Sequence, residues 1–421
     1  MTARTTVRMT AGMTATTATN RASKSGRRIL LGLTGGIAAY KSAQLVRLLV
    51  KGGYDVRVAM TESACRFITP VTMQALSGQT AWTDLWDPRI ADNMGHIELS
   101  RDRELIVIAP ASADFMAKVV HGLADDLLST LCLARDCALM MAPAMNRQMW
   151  DNAATQRNAA QLREDGVLLA GPAPGDQACG ETGMGRMLEP EEIFGEIEAF
   201  FQPKGLAGRR VLVTAGPTAE PIDPVRSITN SSSGKMGYAV ARAAREAGAE
   251  VTLVSGPTAL ATPAGVARID VKSAQQMFDS VKNAAARADI FVSVAAVSDY
   301  RVANAAPQKI KKANGKGMTL ELTENPDILA YVAGLPNPPF CVGFAAETEK
   351  LAVHAKEKRA RKKIPLLAGN LAQQALGADE NEIVLYDDSG EHPLGRGSKL
   401  EQARKLVVHV ASMLARWKRK A

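Results

Sequence analysis

Long apolar runs are missing from this sequence. No stretch approaches the roughly 20 uninterrupted apolar residues needed to cross a bilayer, and the longest largely apolar runs, such as Leu105–Pro110 and Ile290–Val297, have the length of buried strands. No membrane partner is expected. Cysteine is scarce: Cys65, Cys132, Cys137, Cys179 and Cys341 are irregularly spaced, with no CxxC pair and no Cys/His cluster along the chain. That excludes a cysteine-rich zinc module and the disulfide framework of a small secreted domain. A reducing cytoplasm is expected, where a cysteine of consequence acts as a thiol. Acidic residues are absent from the first 28 positions, which carry Arg4, Arg8, Arg21, Lys24, Arg27 and Arg28. Without those six, the 51 bases fall to 45 against 43 acids, so most of the +8 net charge belongs to the tail. A near-neutral body argues against a polyanion-binding surface and hence against a nucleic-acid partner.

The apolar fraction of 46% and charged fraction of 22% are those of a soluble globular protein, and 421 residues exceed one ordinary core. Residues 1–27 contain one large aliphatic residue, Val7, and cannot bury enough apolar area to order themselves. They read as a disordered basic tail, although the Thr/Ala/Arg composition also mimics an organellar transit peptide. Beyond the tail, two segments each read as strand, glycine turn, helix and second strand. The first runs from Arg28 through Gly35-Gly36 to a helix ending near Lys51 and a strand to Met60. The second runs from Arg210 through a Ser/Gly loop to a helix over about Met236–Ala247 and a strand over Glu250–Ser255. Each is a βαβ unit, so two α/β domains with mainly parallel sheets in three Rossmann-like layers are expected. The expected domains are 28–201 and 208–421, joined by a polar linker over 202–207. Lys309–Gly317 is too polar for a core and reads as a loop or β-ribbon arm. The carboxyl end is expected to close with strand Glu382–Tyr386, a loop of Asp, Gly, His and Pro, and an amphipathic helix from about Lys399 to Trp417.

In the first half, Gly35-Gly36 opens a helix directly after an apolar strand, where backbone amides and the helix dipole favour a phosphate. Further on come Gly95-His96-Ile97, Pro110-Ala-Ser112-Ala113 at a strand end, Pro143-Ala-Met-Asn146, and the glycine-dense Ala178-Cys179-Gly-Glu-Thr-Gly-Met-Gly-Arg186, suited to a mobile flap. Taken singly, His96 reads as structural, Asn146 as turn chemistry and Cys179 as an inert small residue. Their order along the chain favours a site. This ordered set resembles the homo-oligomeric FMN-containing cysteine decarboxylases, especially the bacterial phosphopantothenoylcysteine decarboxylases, across residues 28–200.

The resemblance implies a flavodoxin-like flavoprotein domain with FMN held near Gly35, Gly36, Ile37, Ser112 and Ala113. It implies that FMN oxidises the cysteinyl thiol to a thioaldehyde, an electron sink for loss of the neighbouring carboxylate, and that the resulting ene-thiolate is then protonated and reduced. His96 would act as base or orienting group, Asn146 would hold the substrate carboxylate, and Cys179 would donate the proton. It also implies a homo-oligomer with flavin sites between subunits. His121, His354, His392 and His409 lack such context and read as surface or structural residues.

In the second half, Ser232-Ser-Gly234-Lys235-Met-Gly suggests a P-loop but fails the test. No glycine stands five residues before Gly234, and no Ser or Thr follows Lys235. A loop of small residues opening a helix can still take a phosphate. Downstream, Asp299 follows a strand and suits a divalent metal that prefers oxygen ligands. Lys358 and Lys362 stand one helical turn apart, spaced either to reach a triphosphate together or to form a solvated basic face.

Across residues 208–412 these motifs are similar to those of the phosphopantothenate–cysteine ligases, and the order of the halves matches the bacterial bifunctional enzymes of coenzyme A biosynthesis. The resemblance implies activation of a carboxylate by CTP as an acyl-cytidylate, followed by attack of cysteine's amine. By motif, Asn230 would stabilise the acyl-cytidylate and Lys309 would neutralise phosphate charge. Ser293, Val294, Ala295, Asp299, Asn325, Pro326, Asp327, Ile328, Phe344, Lys358 and Lys362 would bind the nucleotide or its Mg²⁺ (or Mn²⁺), with Asp299 as the metal ligand. Arg226 is a further candidate for a substrate phosphate. One departure stands out: in Leu366-Leu-Ala-Gly369-Asn370, Gly369 occupies a slot where the family usually has asparagine, which puts local ligand contacts in question. Rival readings are a flavin decarboxylase of peptide carboxy-terminal cysteines with an unrelated second domain, which the ligase motifs oppose, and a flavin- or nucleotide-binding regulator without turnover.

Overall fold

The computed structural model describes residues 26–87, 99–177, 180–311, 318–371 and 377–417. The chain forms two compact units that divide between Glu198 and Ala199.

The first unit is built on a wholly parallel sheet of β1 (Arg28–Leu33), β2 (Asp55–Met60), β3 (Ala81–Trp82), β4 (Leu105–Ala111), β5 (Ala138–Pro143) and β6 (Leu168–Leu169). Their order is β3-β2-β1-β4-β5-β6, the doubly wound order in which direction reverses between β1 and β4. β4, and β1 after its exposed first residue Arg28, are apolar because both faces are covered, as in parallel sheets generally. On one face, the helix Leu127–Leu133 presses so closely that a Cβ at Gly32 would stand 2.5 Å from Leu128 Cδ1. The helix Ala39–Lys51 ends at Gly52, as the glycine pair suggests. A separate antiparallel ribbon, β7 (Ala173–Asp176) with β8 (Thr182–Arg186), precedes the helix Pro190–Phe200.

The second unit repeats that order and extends it. β9 (Arg210–Ala215) is central, with β12 (Glu250–Ser255) and β13 (Val266–Asp270) on one side. On the other side lie β14 (Ile290–Ser293), β17 (Phe340–Glu347), β18 (Leu366–Leu371), β19 (Glu380–Asp387) and β20 (Gly390–Ser398). The first six of these strands are parallel and the last two antiparallel. Two short ribbons stand off the sheet: β10 (Ala219–Pro221) with β11 (Ser227–Thr229), and β15 (Tyr300–Val302) with β16 (Leu322–Glu324). The segment read as a ribbon arm leaves from the second of these, and its residues 312–317 lie outside the described residues.

Two sequence expectations shift. Residues 390–398, expected as a loop, form the edge strand β20. An edge strand needs partners on one side only, so Pro393 is tolerated, and the buried Gln402 secures the hairpin by donating to Gly395 O at 2.8 Å and accepting from Ile383 N at 3.2 Å. Residues 202–207, read as a polar linker, belong to the second unit: Leu206 is buried in its core and its amide donates to Ala247 O at 3.0 Å.

Candidate functional site

In open α/β sheets, ligands bind beyond the carboxyl ends of the strands, where strand order reverses. Both units place a cavity there.

In the first unit the loops after β1 and β4 are clipped together. Thr34 Oγ1 donates to Pro110 O at 2.8 Å and accepts from Ser112 N at 3.0 Å. Ser112 Oγ in turn accepts from Phe115 N at 3.2 Å, so this flavin candidate also caps the helix Ala113–His121. The helix Ala39–Lys51 begins without a side-chain cap; Ala39 N and Lys41 N donate to Gly36 O and Ala38 O, both at 3.0 Å, and the positive end of the helix dipole still favours an anion here. Gly35 and Gly36 play different parts. A Cβ at Gly35 would stand 2.6 Å from Ser63 Cβ, whereas a Cβ at Gly36 would meet nothing within 4 Å. Gly36 therefore opens onto free space. That space is a cavity of about 340 Å³ walled by Gly36, Ile37, Tyr40 and Lys41 on one side and by Ala144–Asn146, Gln177 and Gly185–Met187 on the other. Of the flavin candidates, Gly36 and Ile37 line it, while Gly35, Ser112 and Ala113 do not.

Asn146 also lines this cavity. Its Oδ1 accepts from Gln148 N at 2.7 Å, capping the helix Arg147–Asp151, and its Nδ2 donates to Glu181 Oε2 at 2.8 Å. The amide donor that the sequence suggests for a substrate carboxylate is thus already aimed at a carboxylate. Glu181 is carried by the ribbon, which approaches the Asn146 loop closely: Gly185 has φ +127, and a Cβ there would stand 2.5 Å from Met145 O. His96 and Cys179, the proposed base and proton donor, lie outside the described residues. The described cysteines are poor donors near neutrality. Burial pushes Cys132 and Cys341 up to about 12 and raises Cys65 and Cys137 as well. Sequence reasoning missed Lys41, a buried lysine whose Nζ reaches Met187 O and Glu189 Oε1, both at 3.0 Å, and holds the Glu189 carboxyl below its usual range. A lone lysine inside an apolar helix face was its only signal.

In the second unit the reversal lies between β9 and β14, where Pro217 bridges Ala296. The helix Lys235–Glu246 starts at Gly234 (φ +77) without a side-chain cap, and it lies so close to β9 that a Cβ at Gly237 would stand 2.5 Å from Ala215 Cβ. Its open amino end faces a cavity of about 290 Å³. Val294, Ala295, Phe344 and Lys358 line it, together with Lys235 and Asn370, which the sequence named without a ligand role, and Lys399 and Asn381, which it did not single out. Burial lowers Lys358 below the usual lysine range against the pull of Glu347 and Asp299, and it also lowers Lys362 and Lys399. Lys235, Lys358 and Lys399 thus put three lysines in the cavity wall, which suits a polyanion, while Lys362 stands outside that wall.

The remaining candidates cluster beside this cavity rather than in its wall. Asn230 Nδ2 donates to Ala296 O at 2.9 Å, in the loop that follows β14. Asn325 Nδ2 donates to Ser298 O at 2.9 Å, and its amide donates to Asp299 O at 2.8 Å, so Asn325 orients the Asp299 turn. Asp327 caps the helix Ile328–Ala333 and pairs with Lys362. Ser293 closes β14, and Pro326 lies between Asn325 and Asp327. Lys309 stands apart from the cavity wall. Its neighbour Ile310 is held by Asp223 (N to Oδ2, 3.1 Å) and by Arg226 (Nη2 to O, 2.7 Å). Arg226 holds Asp223 well below the carboxylate range, which makes this pair an anchor for the arm rather than a free phosphate contact. Gly369, the departure from pattern, faces Leu351 and Tyr386, while Asn370 faces the cavity. The substitution therefore falls on the packed side of β18, and the cavity keeps its asparagine.

A family model described as "Flavoprotein" matches residues 17–202, and one described as "DNA/pantothenate metabolism flavoprotein C-terminal domain" matches residues 206–414. Among curated relatives, the "Coenzyme A biosynthesis bifunctional protein CoaBC" of Vibrio vulnificus (strain YJ016) is 49% identical over 395 residues, covering 93% of this chain and 98% of the relative. The protein of the same name from Escherichia coli (strain K12) is 47% identical over 389 residues, covering 90% and 96%. A solved structure of the C-terminal domain of such a protein is 37% identical and covers 51% of this chain and 100% of its own, with a TM-score of 0.45.

Proposed function

This chain belongs to the family of coenzyme A biosynthesis bifunctional proteins, and from that premise we propose how its two cavities divide the work. It is a bifunctional enzyme that joins a decarboxylase activity to a ligase activity. We assign to residues 28–201 the FMN-dependent decarboxylation of 4'-phosphopantothenoylcysteine to 4'-phosphopantetheine. We assign to residues 208–421 the CTP-dependent joining of cysteine to 4'-phosphopantothenate. One observation carries the division: the two reversal points share a topology but are equipped differently, one with a largely apolar cavity under a glycine ribbon and the other with lysines around an uncapped helix.

In the first cavity, the open face of Gly36 and the positive end of the Ala39–Lys51 helix dipole fit a flavin phosphate, with Gly35, Ile37, Ser112 and Ala113 shaping its bed. FMN, when bound, supplies the two-electron chemistry that turns the substrate's thiol carbon into an electron sink. The protein's part is positional. Asn146 Nδ2 exchanges Glu181 for the substrate carboxylate, holding it where it departs as CO₂. His96 takes the thiol proton, and Cys179 returns one to carbon. Ile37 and Tyr40, both 64% exposed beside the cavity, support a homo-oligomer that covers them.

In the second cavity, the amides that follow Gly234, together with Lys358, Lys362 and Lys399, are suited to the triphosphate. Asp299 offers an oxygen ligand to the accompanying Mg²⁺ or Mn²⁺. Val294, Ala295 and Phe344 bound the nucleoside side, with Ser293 and Asn325–Ile328 behind them. Asn230 donates its amide to the acyl-cytidylate, and Lys309 arrives on its arm to neutralise charge on the leaving pyrophosphate. No helix among the described residues is long and apolar enough to cross a membrane, which fits work in the cytoplasm on small substrates.

The test uses the purified full-length chain. It should be yellow, and it should release pyrophosphate only when CTP, 4'-phosphopantothenate and cysteine are all present. A colourless protein would refute the flavin assignment. Absence of pyrophosphate would refute the ligase assignment, and equal turnover with ATP would refute the choice of nucleotide.

A further inference from the structure

Outside both cavities, three side chains converge in a way neither activity uses. Asp387 ends β19, His392 follows it on β20, and His409 projects from the helix Lys399–Leu414. His392 Nε2 lies 3.1 Å from Asp387 Oδ1, and His409 Nε2 lies 2.9 Å from Asp387 Oδ2. The three ligand atoms all stand within 4.8 Å of one another, and the two imidazole centroids are 4.7 Å apart.

We propose that Asp387, His392 and His409 form a zinc-binding site that ties the β19–β20 hairpin to the last helix. Two imidazoles and one carboxylate are a three-ligand set that zinc accepts, with water in the fourth position. At bond lengths of about 2.0–2.2 Å, tetrahedral ligand atoms stand about 3.3–3.6 Å apart, close to the 3.1 and 2.9 Å that separate each Nε2 from the Asp387 carboxylate. The carboxylate is already held in place: Ser389 N, Ser389 Oγ and Gly390 N donate to Asp387 Oδ1 at 2.7, 2.6 and 3.2 Å. Metal-ligating carboxylates are commonly steadied by such outer hydrogen bonds. Exposure falls from 35% at His392 to 20% at His409 and 5% at Asp387, so the set is shielded from below and open on one side, where a water ligand would sit. Imidazole donors favour zinc over magnesium or calcium, which separates this site from the oxygen-type position at Asp299. Binding requires an unprotonated Nε2 on each ring. The protons that now point at Asp387 leave to solvent or reappear on Nδ1.

Equilibrium dialysis of the full-length, flavin-loaded enzyme against micromolar Zn²⁺, followed by metal analysis, should show zinc uptake that falls by one ion per chain in His392→Gln and in His409→Gln. No uptake by the intact chain, or the same uptake by the variants, would overturn the proposal. A measurement on the unmodified protein guards against misfolded variants: carbethoxylation of each histidine, read by peptide mass spectrometry with and without Zn²⁺. Protection of at least tenfold at His392 and His409, with none at His121 or His354, is expected. Equal modification with and without zinc, or equal protection by Mg²⁺, refutes the site.

Discussion

Replacing Lys358 by methionine separates a ligand-binding lysine from a structural one. The ammonium is half-buried, donates to Phe344 O at 2.9 Å and sits in the wall of the ligase cavity. A unit charge about 4 Å from a phosphate oxygen contributes about 4 kcal/mol at an effective dielectric of 20. With the cavity mouth open to solvent, about 2–4 kcal/mol is a fair range, and at about 1.4 kcal/mol per decade the loss of kcat/KM for CTP should be about 30- to 1000-fold. The free protein should respond differently. Burial lowers the lysine's pKa, so the fold disfavours the charged form, and this cost is present at neutral pH and relieved as pH rises through the folded pKa towards 10.5. Methionine removes that cost but leaves Phe344 O without this donor, a loss of about 1–3 kcal/mol. These effects oppose each other, and Tm without nucleotide should move little. The wild type should also lose CTP affinity with rising pH earlier than an ordinary lysine would allow, and the variant should lack that limb. Steady-state pyrophosphate release against CTP, thermal melting and the decarboxylation rate together decide. CTP kinetics within twofold of wild type, or a parallel fall in decarboxylation, would refute the reasoning.

Three further outcomes are expected. Asn230→Asp removes the Nδ2 donor to Ala296 O and places a carboxylate beside the strand end, so ligation should fall about 100-fold, as when an oxyanion donor is lost. Acyl-cytidylate should accumulate by mass spectrometry and decarboxylation should be untouched; a matched fall in both activities would count against separate sites. Cys179→Ser should let CO₂ leave while blocking the final reduction, so an oxidised enethiol builds up, and a normal product would end the donor assignment. Gly185→Ala places a Cβ 2.5 Å from Met145 O at a φ of +127, which should lift the ribbon off Asn146 and cut decarboxylation at least tenfold; an unchanged rate would show that the ribbon's seating on that loop is dispensable.

The parallel cores were legible because both faces of their strands are buried. Runs such as Ile29–Leu33 admit no other reading once a glycine turn and a helical period follow. Asn146 and the Gly185 loop were legible as motifs, and the structure adds that Glu181 is their meeting point. β20 was not legible: three glycines and Pro393 over 390–398 look like a loop, and only the pairing with β19 and the grip of Gln402 make them a strand. Asn381 and Lys399 were missed, and Lys235 and Asn370 were named without a ligand role, for a related reason. They reach one cavity from four elements, and no local spacing records a meeting across more than a hundred residues. Gly369 looked consequential in the sequence because strand alternation was not applied to it. One residue along a strand exchanges the packed face for the ligand face.

The second sheet also shows what its two extra strands do for the site. The β19–β20 hairpin seats the helix Lys399–Leu414, whose Arg404 grips the buried Glu246 with Nε and Nη2 at 2.7 and 3.1 Å. Arg242 joins at 2.9 Å, and Lys204 Nζ takes Glu246 O at 2.7 Å. A buried carboxylate at a helix's last turn is doubly unfavourable, through desolvation and through the helix dipole. It persists because two guanidiniums and an ammonium surround that terminus. The same bonds fix the carboxyl end of the helix Lys235–Glu246. Since Gly237 lies against Ala215, the helix is then held at both ends, and the amides that follow Gly234 cannot retreat from the cavity. Rigid donors aimed at a developing charge need no reorganisation when it appears. The late strands thus steady the helix whose amino end faces the cavity, and β19 also places Asn381 in the cavity wall.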